Sequence, residues 1–181
     1  MGRRRTTTTR TSGARLVSEW YADGLRFECT SCGNCCSGPP GAVWMSDDES
    51  RALAERFGLP LAVFLEKYAR KLGTRWSLNE VSVGMSGGRR GFDCVFLDRT
   101  KVPGKALCSV YESRPTQCRT WPFWSENLDS EQIWENVKRV TPCPGMGAGQ
   151  LHTFVEICIK RDTDRHAGAT PTLHPPEPDE R

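Results

Sequence analysis

The sequence predicts an α+β fold, a small, irregular, metal-stapled domain with a helical hairpin and a short antiparallel sheet. Three observations lead to this prediction. Segments in which apolar residues recur at helical spacing are followed by segments that approach a period of two. Hydrophobic residues make up only 37% of the 181 residues, and yet the chain contains nine cysteines. Bound metal would supply the stability that a sparse core lacks, on the order of 10 kcal/mol for a thiolate zinc site.

Two helices should form the hairpin. The first begins at the capping box Ser46-Asp47-Asp48-Glu49, in which the first side chain accepts a hydrogen bond from the amide of the last, and it ends near Phe57. Pro60 suits the first turn of the second helix. Because apolar residues then recur at helical spacing, we expect this second helix to continue to a point near Gly73.

The later segments predict the sheet and two further helices. Three predicted strands cover residues 75–83, with a slip near Asn79, then 92–97 and 106–111. Helical spacing predicts a helix over 130–140, which the proline at 142 ends. We also assign 151–159 to a helix, with a strand as the alternative because its apolar residues alternate.

The two ends of the chain differ in composition from its middle. Residues 1–18 form a predicted disordered basic arm, 19–162 the cysteine-cluster domain, and 163–181 a predicted disordered, acidic, proline-rich tail. The five arginines of the first fifteen residues would bind nucleic acid only weakly, so we do not expect nucleic acid as a partner.

The sequence also bears on location. No stretch is apolar enough to span a membrane, and the basic start has no apolar run after it that would make a secretory signal. We therefore expect a cytoplasmic protein without membrane contact. In such a reducing compartment, clustered cysteines are more often metal ligands than disulfides.

Four thiols fall within eight residues, in the run Cys29-Thr30-Ser31-Cys32-Gly33-Asn34-Cys35-Cys36. A gap of two residues lets one turn of backbone direct two sulfurs toward a common point, which is the chelating arrangement of zinc and iron–sulfur sites. A second set of four follows far along the chain. The eight candidate metal ligands are Cys29, Cys32, Cys35, Cys36, Cys94, Cys108, Cys118 and Cys143.

Eight thiols suffice for two tetrahedral all-thiolate zinc sites, or for one four-iron (4Fe-4S) cluster with several thiols to spare. Neighbouring side chains point apart in extended backbone, so we expect Cys35 and Cys36 to lead to different metals or to different irons. The first site would then combine Cys29, Cys32 and Cys35 with Cys143, and the second would use the remaining four. An arrangement in which Cys118 and Cys143 exchange sites fits the sequence nearly as well.

Five other residues have expected roles near this site. Cys158 should be a buried, inert thiol, and His152 a partly exposed residue with a smaller claim to be a ligand. Arg114 and Arg119 flank the second cysteine set and would offset the negative charge of a thiolate site, although a salt bridge from Arg114 to a helix carboxylate is an equally good alternative. Tyr111 should lie in the core with its hydroxyl group hydrogen-bonded.

The chain resembles the YkgJ-type cysteine-cluster family over about residues 26–147. The resemblance is carried by the run Cys29-x2-Cys32-Gly33-x-Cys35-Cys36, by Asp93-Cys94-Val95-Phe96-Leu97, by Cys108-Ser-Val-Tyr111-Glu-Ser-Arg114-Pro115-Thr-Gln-Cys118-Arg119-Thr-Trp121-Pro122-Phe123, and by Cys143-Pro144-Gly145. Trp121 stands where the family commonly has tyrosine. The resemblance implies a zinc- or iron-chelating domain, and the family includes flagellin lysine N-methylase.

Three functions follow as hypotheses. The first is a metal-binding protein with one or two all-thiolate sites for an iron–sulfur cluster or zinc, with a redox role or a role accessory to a protein-modification reaction. The second is a structural zinc module that binds a protein or nucleic acid partner. The third is a methyltransferase similar to the flagellin methylase, although we recognise no strand, glycine loop and helix of the kind that binds S-adenosylmethionine. Whether the chain is an enzyme stays open.

Overall fold

The computed structural model describes residues 19–84 and 90–166 of the protein. The predicted basic arm, part of the glycine-rich turn before residue 90, and the chain after residue 166 lie outside these ranges. Within them the fold is α+β, as predicted, with helices and small antiparallel sheets packed around two apolar cores. None of the described helices is both long enough and apolar enough to cross a membrane.

The described residues form five α-helices. They are α1 Asp47–Arg56, α2 Leu61–Tyr68, α3 Thr116–Thr120, α4 Glu131–Val140 and α5 Phe154–His166. The last of these continues four residues past the point at which the tail is predicted to begin.

Within the described ranges, ten short strands pair in four antiparallel sheets, β1–β10, β2–β7–β6, β3–β5–β4 and β8–β9. Their bounds are β1 Leu25–Phe27, β2 Ser37–Gly38, β3 Trp44–Met45, β4 Ala69–Leu72, β5 Arg75–Leu78, β6 Glu80–Gly84, β7 Arg90–Cys94, β8 Leu97–Asp98, β9 Leu107–Cys108 and β10 Met146–His152. The break between β5 and β6 falls at Asn79, where the sequence predicts a slip.

The helical hairpin begins as its sequence predicts. The Ser46 hydroxyl accepts a hydrogen bond from the Glu49 amide over 3.2 Å, and the Glu49 carboxylate accepts one from the Ser46 amide over 2.9 Å. These two bonds satisfy amides that the first turn of a helix leaves without a partner. Leu53 of α1 and Phe64 of α2 are both fully buried, so the two helices pack through their apolar faces.

The second helix is shorter than predicted. It ends at Tyr68, and residues 69–72, which we expected to be helical, form β4. Their backbone pairs residue by residue with β5, from Ala69 opposite Leu78 to Leu72 opposite Arg75. Strand pairing therefore outweighs the helical spacing of these four residues, since each gains a partner across the sheet.

The prediction for residues 151–159 is partly wrong. The first two of them belong to β10, which pairs with β1 at Leu25 and Arg26, and the helix begins at Phe154. The alternation of apolar residues at the start of this segment therefore belonged to a strand.

Two apolar cores organise the described residues. The first core consists of Met45, Leu53, Ala54, Phe64, Ala69, Leu78, Phe96 and Val110. The second core consists of Tyr21, Phe123, Leu128, Trp134, Cys143, Met146 and Ile157. The first core belongs mainly to the hairpin and its sheet. The second core belongs to α4, α5, the segment between α3 and α4, and residues next to or within the strand pair β1–β10.

Candidate metal centre

The cysteine run lies beside the strand that carries Cys94. Immediately after the run, β2 pairs with β7, with Ser37 opposite Asp93. Cys36 precedes the first of these residues and Cys94 follows the second, so the sheet brings the two cysteines to the same edge. Arg99 links the two strands, because its guanidinium donates hydrogen bonds to the Asp93 carboxylate, with Nε 2.7 Å away, and to the Ser37 hydroxyl over 2.6 Å.

A second contact brings the run close to Cys108. The amide of Ala106 donates to the carbonyl oxygen of Ser31 over 2.8 Å. Gly33 lies so near that a Cβ atom in its place would be 2.6 Å from the Cβ atom of Ala106. Cys108, two residues further, pairs with Leu97 across the small β8–β9 sheet. The approach needs glycine at position 33, both for lack of space and because its φ of 76° is a left-handed conformation.

The run also contacts the segment around Cys143. The Asn34 side chain donates to the Pro142 carbonyl over 2.6 Å, and the Glu28 amide donates to the Gly145 carbonyl over 3.2 Å. A Cβ atom at Gly145 would lie 1.8 Å from the Glu28 carbonyl oxygen, so only glycine allows this approach. These contacts enclose Cys143 on both sides of its position in the sequence.

Cys118 reaches the site from α3. Glu49 of the hairpin holds the start of α3, because its carboxylate accepts hydrogen bonds from the amide of Thr116 over 2.5 Å and from its hydroxyl over 2.6 Å. The charges of Cys94, Cys35 and Cys108 act on the Cys118 thiol. Cys118 therefore lies with sulfurs from both the run and the second set.

All nine cysteines have free thiols. The sulfurs of Cys35 and Cys36 are 3.7 Å apart, because both residues lie in a 3₁₀ turn over Asn34–Cys36 that starts at Gly33. The expectation that these neighbours point apart is therefore wrong, since it assumed extended backbone.

The thiols influence one another electrostatically. A hydrogen bond from Cys36 lowers the pKa of Cys35, and that bond together with burial raises the pKa of Cys36, on which the charges of Cys118 and Cys94 also act. Burial raises the pKa of Cys94 to about 11, with a contribution from the charge of Cys108. Burial raises the pKa of Cys118 further still, with contributions from neighbouring thiolates. A cation among these sulfurs would relieve that repulsion.

Cys143 interacts with thiols of the cysteine run. Burial raises its pKa, the backbone amides of Gly145 and Met146 oppose that effect, and the charges of Cys32 and Cys35 add to it. Amides that face a sulfur in this way stabilise a thiolate. Cys35 thus interacts with Cys143 as well as with Cys36 and Cys118.

The arginines around the thiols differ in their partners. Arg119 pairs with Glu49 at 3.6 Å, and it also donates to the Arg114 carbonyl and, over 2.8 Å, to the Thr116 hydroxyl. Arg114 instead stacks on Tyr111, with its Cζ atom 3.5 Å from the ring centroid, and donates from Nε to the Tyr111 carbonyl over 2.7 Å. Tyr111 is 41% exposed, so its predicted place in the core is wrong.

The remaining expectations concern Cys158 and His152. Cys158 is half-buried and packs against the second core. The Nε2 atom of His152 lies 3.2 Å from the Phe27 carbonyl oxygen, and its ring meets that of Phe123 at 5.0 Å between centroids. His152 is therefore engaged in packing β10 against β1.

The described residues contain no group of three or more His, Cys, Asp or Glu side chains arranged to hold a metal ion. The chemistry of the donors nevertheless fits zinc or iron, because both favour thiolates. Zinc–sulfur bonds of about 2.3 Å put two sulfurs of one tetrahedral site about 3.8 Å apart. The 3.7 Å between Cys35 and Cys36 agrees with that separation.

Sequence reasoning missed three residues that shape this site. They are Asp93 and Arg99, which brace β2 against β7, and Asn34, which holds Pro142. Asp93 belongs to a motif quoted above, but Arg99 lies six residues later, outside that motif, and nothing in the sequence signals that the two form an ion pair. Asn34 lies inside the cysteine run, and its polar side chain among thiols was the available signal.

Comparison with known proteins adds a family. The sequence model of the CxxCxxCC family, described as a "putative zinc- or iron-chelating domain", matches residues 28–144. This range holds all eight candidate ligands and excludes Cys158.

A curated relative is an uncharacterized protein of the archaeon Methanocaldococcus jannaschii. It is 29% identical over 110 residues, which are 60% of this chain and 51% of the relative. The chain thus spans about half the length of this relative. No solved structure matches the chain significantly.

Proposed function

Because the chain belongs to the CxxCxxCC family, we propose that it binds zinc or an iron–sulfur cluster through eight cysteine thiolates. The observation that carries the proposal is the meeting of three distant segments around the cysteine run. The run and the residues next to it contact β7 beside Cys94, Ala106 near Cys108, and Pro142 and Gly145 on either side of Cys143. The thiolates would hold the ion, and the ion would supply either electron transfer or a rigid link.

Two groups of ligands are proposed. Cys36, Cys94, Cys108 and Cys118 form one group, because their charges act on one another. Cys143 and Cys32 form the other, because the charge of Cys32 acts on Cys143. Cys29, whose charge acts on Cys108, is assigned to the second group only by its spacing from Cys32 in the sequence. Cys35 interacts with members of both groups, which supports either a shared thiolate or two irons of one cluster.

A structural zinc module is the second candidate. It is favoured by the position of the thiols, since Cys94 and Cys108 pack against the first core while Cys32 and Cys143 belong to the second. Ions held by the two groups of ligands, with Cys35 interacting with both, would join the two cores. The methyltransferase alternative gains no such support, because the glycines at 147 and 149 lie within β10 rather than in a loop between a strand and a helix.

The test is metal analysis of protein purified without oxygen, by native mass spectrometry and visible absorption. An iron–sulfur cluster gives visible charge-transfer bands, whereas a colourless protein with stoichiometric zinc would exclude the redox role. Cys118→Ser should lower the metal content, and Cys158→Ser, which removes the thiol outside the family match, should leave it unchanged. Native protein with neither metal would overturn the proposal.

A further inference from the structure

Two arginines near the thiols, Arg99 and Arg119, are neutralised by carboxylates. Arg99 forms a two-bond pair with Asp93, over 2.7 and 3.1 Å. Arg119 pairs with Glu49 at 3.6 Å. Each of these charges is therefore largely offset where it stands.

Arg114 is different. Among the described residues it forms no ion pair with a carboxylate, and the hydrogen bond and the ring contact of its side chain are both with Tyr111. The ring of Tyr111 lies under the guanidinium plane, and the Tyr111 carbonyl accepts from Nε, so two contacts fix the group. Its terminal nitrogens keep their hydrogen-bonding capacity, because Nε alone is used.

The position of Arg114 directs that charge toward the cysteines. It precedes Pro115, whose carbonyl accepts the amide of Cys118 over 2.9 Å. Its positive charge acts on Cys35, Cys108 and Cys118, which come from three separate segments. A divalent ion with four thiolates carries two surplus negative charges, which need a compensating cation nearby.

We infer that Arg114, held by the ring and carbonyl of Tyr111, is the positioning residue that compensates the charge of the thiolate centre. This inference rests on the proposed function. The guanidinium contributes one positive charge beside the sulfurs, and it is not itself a ligand. Arg119, flanking the same cysteines, is occupied by Glu49 and serves mainly to hold α3.

The experiment measures the affinity of the full-length protein for Co²⁺ by competition with a chelator, with thiolate-to-cobalt absorption as the signal. Arg114→Gln should weaken binding by about tenfold, since it removes a charge close to several thiolates. Arg114→Lys should recover most of the loss because it keeps the charge. The matched control Arg51→Gln should bind within about threefold of the wild type, because the exposed charge it removes is already paired with Asp48 on the same helix.

Salt separates an electrostatic role from a structural one. In 1 M NaCl the Debye length falls to about 3 Å, so the difference between wild type and Arg114→Gln should shrink. A difference that is the same at low and high salt, or an Arg114→Lys variant as weak as Arg114→Gln, would overturn the inference. Equal affinities of wild type and Arg114→Gln would do so as well.

Two further outcomes keep the inference and the proposed function apart. A wild-type protein that binds no Co²⁺ and carries no native metal contradicts the proposed function itself. If Arg114→Gln does not fold, Tyr111→Leu takes its place, because it removes the stacking surface at an exposed position. It should weaken Co²⁺ binding at low salt more than at high salt, and unchanged binding at both salt concentrations would overturn the inference.

Discussion

Asp164 has a buried carboxylate with only one of its two oxygens satisfied. The residue is 1% exposed, and its Oδ1 atom accepts a hydrogen bond from the Thr120 hydroxyl over 3.2 Å. Its Oδ2 atom is buried without a hydrogen-bond partner in the described structure. Burial, with a smaller contribution from the charge of Glu126, raises the pKa of this carboxyl to about 6.

The raised pKa predicts how stability depends on pH. Between the ordinary aspartate pKa and about 6, the folded protein holds a proton that the unfolded chain has lost, so the free energy of unfolding should fall as pH rises through this range. Asp164→Asn should remove that dependence and stabilise the protein at pH 7 by about 1–2 kcal/mol. Denaturant unfolding from pH 4 to 7, compared with the exposed control Asp129→Asn, checks this. Parallel pH profiles for wild type and Asp164→Asn would contradict it.

Single residues also decide how far the site can be predicted. The spacing of the cysteine run indicates chelation by itself, since the needed geometry lies within one turn of backbone. The direction of Cys35 and Cys36 could not be predicted, because it depends on the 3₁₀ turn that begins at Gly33. Nor could the different partners of Arg114 and Arg119, since Glu49, which pairs with Arg119, lies on a distant helix.

At the scale of elements, the turn that carries Cys35 and Cys36 depends on Gly33. Gly33→Ala should cost about 1–2 kcal/mol for the left-handed backbone alone and more for the collision with Ala106. We expect a lower melting temperature and a lower metal content together. The matched control is Gly73→Ala, because Gly73 has a φ of 61° but no atom within 4 Å of its Cβ position.

Thermal unfolding and metal analysis of both variants check this prediction. Gly73→Ala should lose some stability and keep its metal, since it lies in the turn between β4 and β5. If the two variants lose equal stability and both keep their metal, the close approach of Gly33 to Ala106 has no role in the site.

The elements that were predicted correctly depend on neighbours in the sequence. Helix α1 follows from Ser46 and Glu49, three residues apart, and α4 from the apolar spacing after Ser130, whose hydroxyl caps the helix. Strand β10 could not be predicted from neighbouring residues in this way, because its partner β1 lies more than a hundred residues away. The β4–β5 hairpin could have been predicted, since Gly73 lies in the tight turn that joins the two strands.

At the scale of the whole molecule, the thiols lie between two cores. Cys94 and Cys108 pack against the first core, whereas Cys143 belongs to the second and Cys32 packs against it. The ligands that we propose therefore come from both cores. The link between the two halves should depend on the bound metal as much as on apolar contact.

Removal of the metal should weaken this link more than either core. Treatment with a strong chelator should lower the melting temperature by more than about 10 °C. It should also split one unfolding transition into two, because the cores would then unfold separately. Calorimetry before and after chelation, with zinc or iron added back as the control, measures both effects. A single transition at an unchanged temperature after complete metal removal would contradict the prediction.

The wide spacing of the cysteines along the chain has a consequence for the synthesis of the protein. Cys36 leaves the ribosome 107 residues before Cys143 (143 − 36). At a synthesis rate of about 5–20 residues per second, the cysteines of the run are present for about 5–20 s before Cys143 is added. During that interval the four closely spaced thiols can be oxidised or can bind copper. The nascent chain therefore needs reducing conditions before it needs its metal.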